Sequence, residues 1–181
     1  MSGRGDRRVL GAVAAGLLVA VAIGLAIVGG SGGDRAIAVE TPPHFVDAHE
    51  LGELEASLGH SAYWAGERPP ARLELRQEAE GSVYLRYLPP GVKPGDPDQT
   101  YLTIGTYPVV DAVAALERSA AESEVEVEPG PGDGVVLRNP DSRGSVYLAY
   151  PGSDVQIEVY DPVPGRSLHL IRSGAIVPVG G

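Results

Sequence analysis

Apolar and polar positions divide the chain into two parts of different period. From Val9 to Val28 (VLGAVAAGLLVAVAIGLAIV) none of the twenty side chains is polar or charged. At about 1.5 Å per residue such a helix spans roughly 30 Å, the hydrocarbon thickness of a bilayer. The run predicts a transmembrane anchor over 9–29. After a Gly-rich stretch (GGSGG, 29–33) the pattern changes to short periodic segments. Residues 46–58 place Leu51, Leu54 and Leu58 on one helical stripe behind Pro43. Residues 110–121 follow Pro108, with Val110, Val113, Leu116 and Ala120 as the apolar side. A third helix behind Pro164 ends near Ser173 and carries Leu168 and Ile171. Between the helices apolar residues alternate with polar ones, the period of a strand. The inward sides read as Leu73 and Leu75; Val83, Leu85 and Tyr87; Leu102 and Ile104; Val125 and Val127; Val146, Leu148 and Tyr150; Val155, Ile157 and Val159. This alternation predicts an antiparallel sheet with one covered face.

The strand pattern repeats. Gly81-Ser82-Val83-Tyr84-Leu85-Arg86-Tyr87 recurs as Gly144-Ser145-Val146-Tyr147-Leu148-Ala149-Tyr150, with six of seven residues identical at an offset of 63. Val46-Asp47-Ala48 matches Val110-Asp111-Ala112 at offset 64, and Ile104 to Tyr107 echoes Ile157 to Tyr160 at offset 53. Collinear matches of this kind predict an internal duplication. The expected fold class is α+β: an N-terminal transmembrane helix, then an extracytoplasmic domain built as a duplicated helix plus antiparallel meander. The expected divisions are a cytoplasmic basic tail (1–8), the anchor (9–29), a tether (30–44) and the α+β domain (45–181). Within the domain, pseudo-repeats cover about 45–107 and 108–160 and a terminal helix follows.

Charge sets the orientation. Arg4, Arg7 and Arg8 precede the apolar run, and positive flanks resist translocation. The N-terminus is therefore expected inside, with the C-terminal domain outside the cytoplasmic membrane. A cleaved secretory signal is the competing reading, with Ala36-Ile37-Ala38 as the cleavage site and Arg7-Arg8 as a degraded twin-arginine pair. Its apolar core would be shorter than this run, and the site lies ten residues past Val28. Ala12, Gly16, Ala20 and Gly24 form a small-residue stripe, the pattern through which two membrane helices approach closely, here as a homodimer or with a protein partner.

Composition narrows the function classes. The chain has 14 basic and 24 acidic residues; without Arg4, Arg7, Arg8 and Asp6, 11 basic and 23 acidic remain, a net charge of −12. Such a domain is repelled by nucleic acid and by anionic lipid. There is no cysteine, which excludes disulfides, thiolate catalysis and a lipoprotein anchor. All but one of the basic residues are arginine, and Ala, Gly, Pro and Val abound, a composition of high-GC bacterial genomes.

Catalytic and metal motifs are incomplete. Gly59-His60-Ser61-Ala62-Tyr63 lacks the last glycine of the nucleophile elbow and follows a helix rather than a strand. Asp96-Pro97-Asp98-Gln99-Thr100 has an aspartyl-nucleophile spacing but sits in a Pro- and Gly-rich loop, and two carboxylates under-supply calcium. His44, His49 and His60 lie near Asp47, Glu50 and Glu53 without the second histidine of the zinc helix. No catalytic residue, metal or cofactor is expected. The outward strand face instead carries Tyr84, Arg86, Tyr101, Tyr107, Tyr147 and Tyr160, with Thr103, Gln156 and Glu158. Tyrosine and arginine suit recognition surfaces, so this face is the candidate interaction site. The alternative is that tyrosine simply suits strands, or that these rings are buried between the two halves.

Two stretches carry a resemblance: Tyr87-Leu88-Pro89-Pro90-Gly91-Val92 with Leu102 to Pro108, and Ser145 to Pro162. Over most of residues 60–175 the chain resembles an uncharacterised family of single-pass membrane-anchored proteins from high-GC actinobacteria. The resemblance implies a bacterial envelope address and no activity. The expected function is a membrane-anchored extracytoplasmic interaction, scaffold or sensory module without catalysis. The alternatives are an envelope-polymer hydrolase using a carboxylate pair among Glu50, Glu53, Asp96 and Asp98, or an apolar-ligand-binding domain.

Overall fold

The computed structural model describes residues 40–138 and 144–180. The apolar run Val9–Val28, its small-residue stripe and the Ala36-Ile37-Ala38 site lie outside them. Among the described residues no helix is long and apolar enough to cross a membrane. The elements are β1 (Thr41–Val46), α1 (Ala48–Leu58), β2 (Tyr63–Trp64), β3 (Arg72–Gln77), β4 (Val83–Leu88) and β5 (Thr103–Pro108). There follow α2 (Ala112–Glu122), β6 (Glu128–Pro129), a 3-10 turn (Pro131–Asp133), β7 (Val135–Arg138), β8 (Ser145–Ala149), β9 (Val155–Tyr160), α3 (Arg166–Arg172) and β10 (Val177–Pro178). The class is α+β. One antiparallel sheet runs β1-β3-β4-β5-β9-β8-β7-β6, and β10 pairs with β2 beside it.

The three helices form where the periodicity places them, with local signals at their ends. Asp47 caps α1: its Oδ1 accepts from the backbone N–H of His49 and Glu50, both at 2.9 Å, while Glu50 Oε2 accepts from the Asp47 N–H. This reciprocal box satisfies donors the first turn otherwise leaves unpaired. Gly59 ends the helix at φ 71°, a conformation that favours glycine. Residues 41–44, expected in the tether, are instead strand. Pro42 and Pro43 hide β1 from the pattern, because proline lacks a ladder donor and is tolerated at a sheet edge.

The two meanders share one register. Val83 pairs with Thr106 and Leu85 with Ile104; at the repeat's offsets of 63 and 53, Val146 pairs with Val159 and Leu148 with Ile157. On the other side, Leu75 faces Leu85 as Val136 faces Leu148. The halves meet at β5 and β9, where Gly105 pairs with Glu158, its own counterpart at offset 53. The hydrogen-bond pattern is thus two-fold about that pair.

The helices break this symmetry. One face of the sheet carries Leu75, Val83, Leu85, Ile104, Val146, Leu148 and Ile157, and buries them with Leu51 of α1 and Leu170 and Ile171 of α3. The other face carries Leu137, Tyr147 and Ala149, and buries them with Ala112, Leu116 and Ala120 of α2. Helices therefore cover both faces, and the expectation of one covered face is corrected. Two consequences follow for the sequence reading. Val125 and Val127 pack into the α2 core, not the first one. Val110 stands outside α2 at 71% exposure, and Val109 takes its place in the core.

Candidate functional site

Strand parity puts Tyr84, Arg86, Tyr107, Tyr147 and Tyr160 on the second face, as their alternation predicts, but they do not form one open platform. The repeat's single mismatch separates the two halves of that face. In the second half, Val135 lies opposite Ala149 and Leu137 opposite Tyr147. This patch is apolar with room above Ala149, and α2 settles on it. Tyr147 is 3% exposed and belongs to that core.

In the first half the matching positions are Glu74 opposite Arg86 and Arg76 opposite Tyr84. Among the described residues no helix packs on them. The loop between β4 and β5 folds over the ion pair instead. Arg86 Nη1 donates to Glu74 Oε1 at 3.1 Å, and its Nη2 donates to the carbonyls of Asp96 and Asp98 at 2.9 and 2.7 Å. Glu74 Oε2 accepts from Gly95 N at 2.5 Å. Glu74 is wholly buried and Arg86 nearly so. Tyr101 lies beside the Arg86 guanidinium, 5.1 Å from ring centroid to carbon, and donates its hydroxyl hydrogen bond to Asp96 at 3.2 Å. Arg86 and Tyr101 thus hold the loop in place.

What stays open is a strip along the seam. Tyr107 lies back across Gly105, where a Cβ would sit 2.6 Å from its hydroxyl oxygen, and donates to Glu158 Oε2 at 2.6 Å. Tyr84 meets Tyr107 edge to face at 5.7 Å between centroids. Tyr84, Tyr107 and Tyr160 are partly exposed. Glu78, Glu80 and Glu158 surround Tyr84; burial first, then these carboxylates, push its hydroxyl pKa up, against a hydrogen bond with Tyr107.

A cleft of about 420 Å³ opens elsewhere, at the end of the first core between β1, the start of α1 and the 64–72 segment. Trp64, Leu73 and Tyr87 are among its apolar lining residues, and Asp47, Glu50, Glu67, Arg68 and Arg72 among its charged ones. Its wall is fixed from within. The Tyr87 hydroxyl accepts from Ala65 N at 2.7 Å and donates to the Gly66 carbonyl at 3.1 Å, and Arg68 Nε donates to the Ala65 carbonyl. Arg72 stacks on Phe45, 3.6 Å from the ring centroid. The sequence reading passes over Phe45, Trp64, Arg68 and Arg72. The available signal was the chain's single tryptophan beside two arginines in a Pro-rich turn, which no periodicity registers.

Burial pushes the Tyr87 hydroxyl up to about 12, the Ala65 N–H and Arg68 acting in the opposite direction. Burial and then Glu158 hold Tyr107 above its ordinary value as well. Both folded values exceed the unfolded one of about 10, so the neutral form is favoured by folding. The stability these groups contribute is complete below about pH 10 and is lost as pH rises, for Tyr87 through about 12. In an ultraviolet phenolate titration, Tyr87 and Tyr107 should ionise late, with unfolding. Tyr87→Phe should remove one late phenol; a titration with every tyrosine ionising near its ordinary value would contradict this.

The remaining motif residues serve local structure. Gly59 is the α1 cap, and the His60 ring nitrogens lie 3.1 and 3.0 Å from the carbonyls of Ser61 and Gly81, to one of which the ring N–H donates. Asp96 and Asp98 accept from Asp98 N and Thr100 N in their own loop, on the second face. Glu50 closes the α1 cap and Glu53 pairs with His49, on the first. The four carboxylates therefore do not converge. Among the described residues no group of three or more His, Asp or Glu is arranged to hold a metal ion. Comparison of the chain with known families, with curated proteins and with solved structures returns no match.

Proposed function

We propose that this chain is a membrane-anchored, extracytoplasmic interaction module, with its N-terminus inside and residues 41–180 presented to envelope partners. The anchor rests on the apolar run Val9–Val28 and the arginines before it. The matched registers support reading the domain as a duplication whose halves have diverged in what covers them. The observation that carries the interaction reading is this uneven cover. One half of the second face is sealed by α2, against which Tyr107 also packs, whereas Tyr84 of the other half and Tyr160 at the seam stay partly exposed beside charged Arg76 and Glu158. Partly exposed rings with polar tips offer large contact area and directional bonds together.

Two measurements test it. A C-terminal alkaline phosphatase fusion should be active and a cytoplasmic reporter at the same place dark; the reverse would overturn the topology, and a mature N-terminus at Val39 would overturn the anchor. Co-purification from native membranes should return a stoichiometric partner, lost or weakened about thirtyfold by Tyr84→Ala, the ~2 kcal/mol of a hot-spot ring. Undiminished capture by Tyr84→Ala would remove the strip from the interface.

A further inference from the structure

The cleft beside Trp64 is separate from that strip and lies on the first face of the sheet. Its floor is Val46, Leu73 and Tyr87, neighbours across β1, β3 and β4 that the register turns to that face, where they pack with the first core. One bank is the start of α1, with Asp47 and Glu50; the other is the 64–71 segment, with Trp64, Glu67 and Arg68. Phe45 and Arg72 touch the margin, but their side chains project to the second face, where they stack on each other. The charges on the two banks narrow the ligand. Three carboxylates repel an anion. A cation meets the Arg68 guanidinium and the positive end of the α1 dipole, whose backbone N–H groups already hold Asp47 and Glu50 through one oxygen each. A neutral ligand escapes both objections. To it the banks offer hydrogen bonds of both senses: carboxylate oxygens accept, and the Arg68 guanidinium donates beyond the Nε bond it makes to the Ala65 carbonyl. A hydroxyl donating to a carboxylate makes a bond roughly twice as strong as a neutral pair. Trp64 is partly exposed and adds an aromatic surface, whose negative face attracts the partly positive C–H groups of a saturated ring.

We infer that the cleft binds a neutral mono- or disaccharide. Its C–H face lies on Trp64, and its hydroxyls reach the carboxylates of Asp47, Glu50 and Glu67 and the guanidinium of Arg68. A volume of about 420 Å³ is of the size of small-ligand sites. The bank that carries Trp64 is preformed, since the Tyr87 hydroxyl already holds Ala65 N and the Gly66 carbonyl. No ordering of that segment is needed on binding, which favours affinity from few contacts.

The chain has one tryptophan, so its emission reports on this cleft. The test titrates the full chain, in a detergent without a sugar headgroup, with glucose, N-acetylglucosamine, maltose and diacetylchitobiose, read by emission and by calorimetry. The expected result is saturable binding of at least one of them, weaker by about tenfold or more for sorbitol, cyclohexanol and glucuronate. Sorbitol has the hydroxyls without the ring face, cyclohexanol the ring without the hydroxyl array, and glucuronate a charge. Tighter binding of the disaccharides would identify the source as a glycan chain, and equal binding of the monosaccharides would identify it as free sugar; both support the inference. Trp64→Leu stays apolar but loses the aromatic face, and should weaken binding about tenfold by calorimetry. Glu67→Ala, at an exposed position, should weaken it about tenfold at unchanged thermal stability. If Trp64→Leu does not fold, Glu67→Ala decides alone. No saturable response to any of these sugars overturns the inference. So does equal binding of sorbitol, or binding of choline in place of the sugars, which would make this a cation site. Sugar binding undiminished in the variants would place it outside the cleft and overturn the inference too.

Discussion

Arg86→Ala should destabilise the fold by about 3–5 kcal/mol, the cost of leaving a buried charge without its partner. Glu74, 1% exposed, keeps only the Gly95 N–H once the guanidinium is gone. The carbonyls of Asp96 and Asp98 lose their donor at the same time, so the β4–β5 loop should loosen as well. Denaturant unfolding measures the loss, and protease cleavage between Pro89 and Tyr101 reports on the loop. The second half of the sheet supplies the control, because its equivalent cross-strand pair is Val135 and Ala149. The double change Glu74→Val with Arg86→Ala removes both charges and should recover much of the stability while the loop stays cleavable. A single Arg86→Ala variant as stable as the parent would show that the pair is not desolvated.

Tyr147→Ala should cost about 3–5 kcal/mol and Tyr84→Ala about 1 kcal/mol, although the two residues occupy equivalent places in the repeat. Tyr147 fills the space under α2 with Leu116 and Leu137, and its removal leaves a cavity closed by a helix. Tyr84 is partly exposed, so little beyond the aromatic contact and the hydrogen bond with Tyr107 is lost. Parallel unfolding curves decide the matter. Equal losses would mean that the first half of the second face is as well covered as the second. The Tyr84 strip would then be core, and the interaction reading would lose its surface.

Much of the fold was legible because local chemistry dictates it. The Leu51-Leu54-Leu58 stripe and the alternation Val83-Leu85-Tyr87 each follow from a period. The repeat even carried the register, since identical residues at offsets 63 and 53 must pair alike if the halves are equivalent. The edge strand β1 was not legible, since two prolines there read as linker. The cleft was not legible either. It joins Phe45, Trp64, Arg72 and Tyr87 from four separate strands or strand ends, and nothing in the spacing along the chain records that meeting.

By itself the sequence determined three helices, the alternation of β3, β4, β5, β8 and β9, the sidedness of the tyrosines on those strands and the apolar run that sets the proposed address. Periodicity and end signals act within one segment, so one segment suffices to read them. Which helix covers which face was decided only in the tertiary structure. Alternation says that a residue points to one side or the other, but not what waits there. A buried Glu74–Arg86 pair can be satisfied only by a loop offering carbonyls and an N–H, and an apolar Leu137–Tyr147–Ala149 patch only by an apolar helix. That choice depends on groups far apart in the chain meeting in space, and one substitution within an otherwise identical motif, Arg86 against Ala149, sends the two halves different ways.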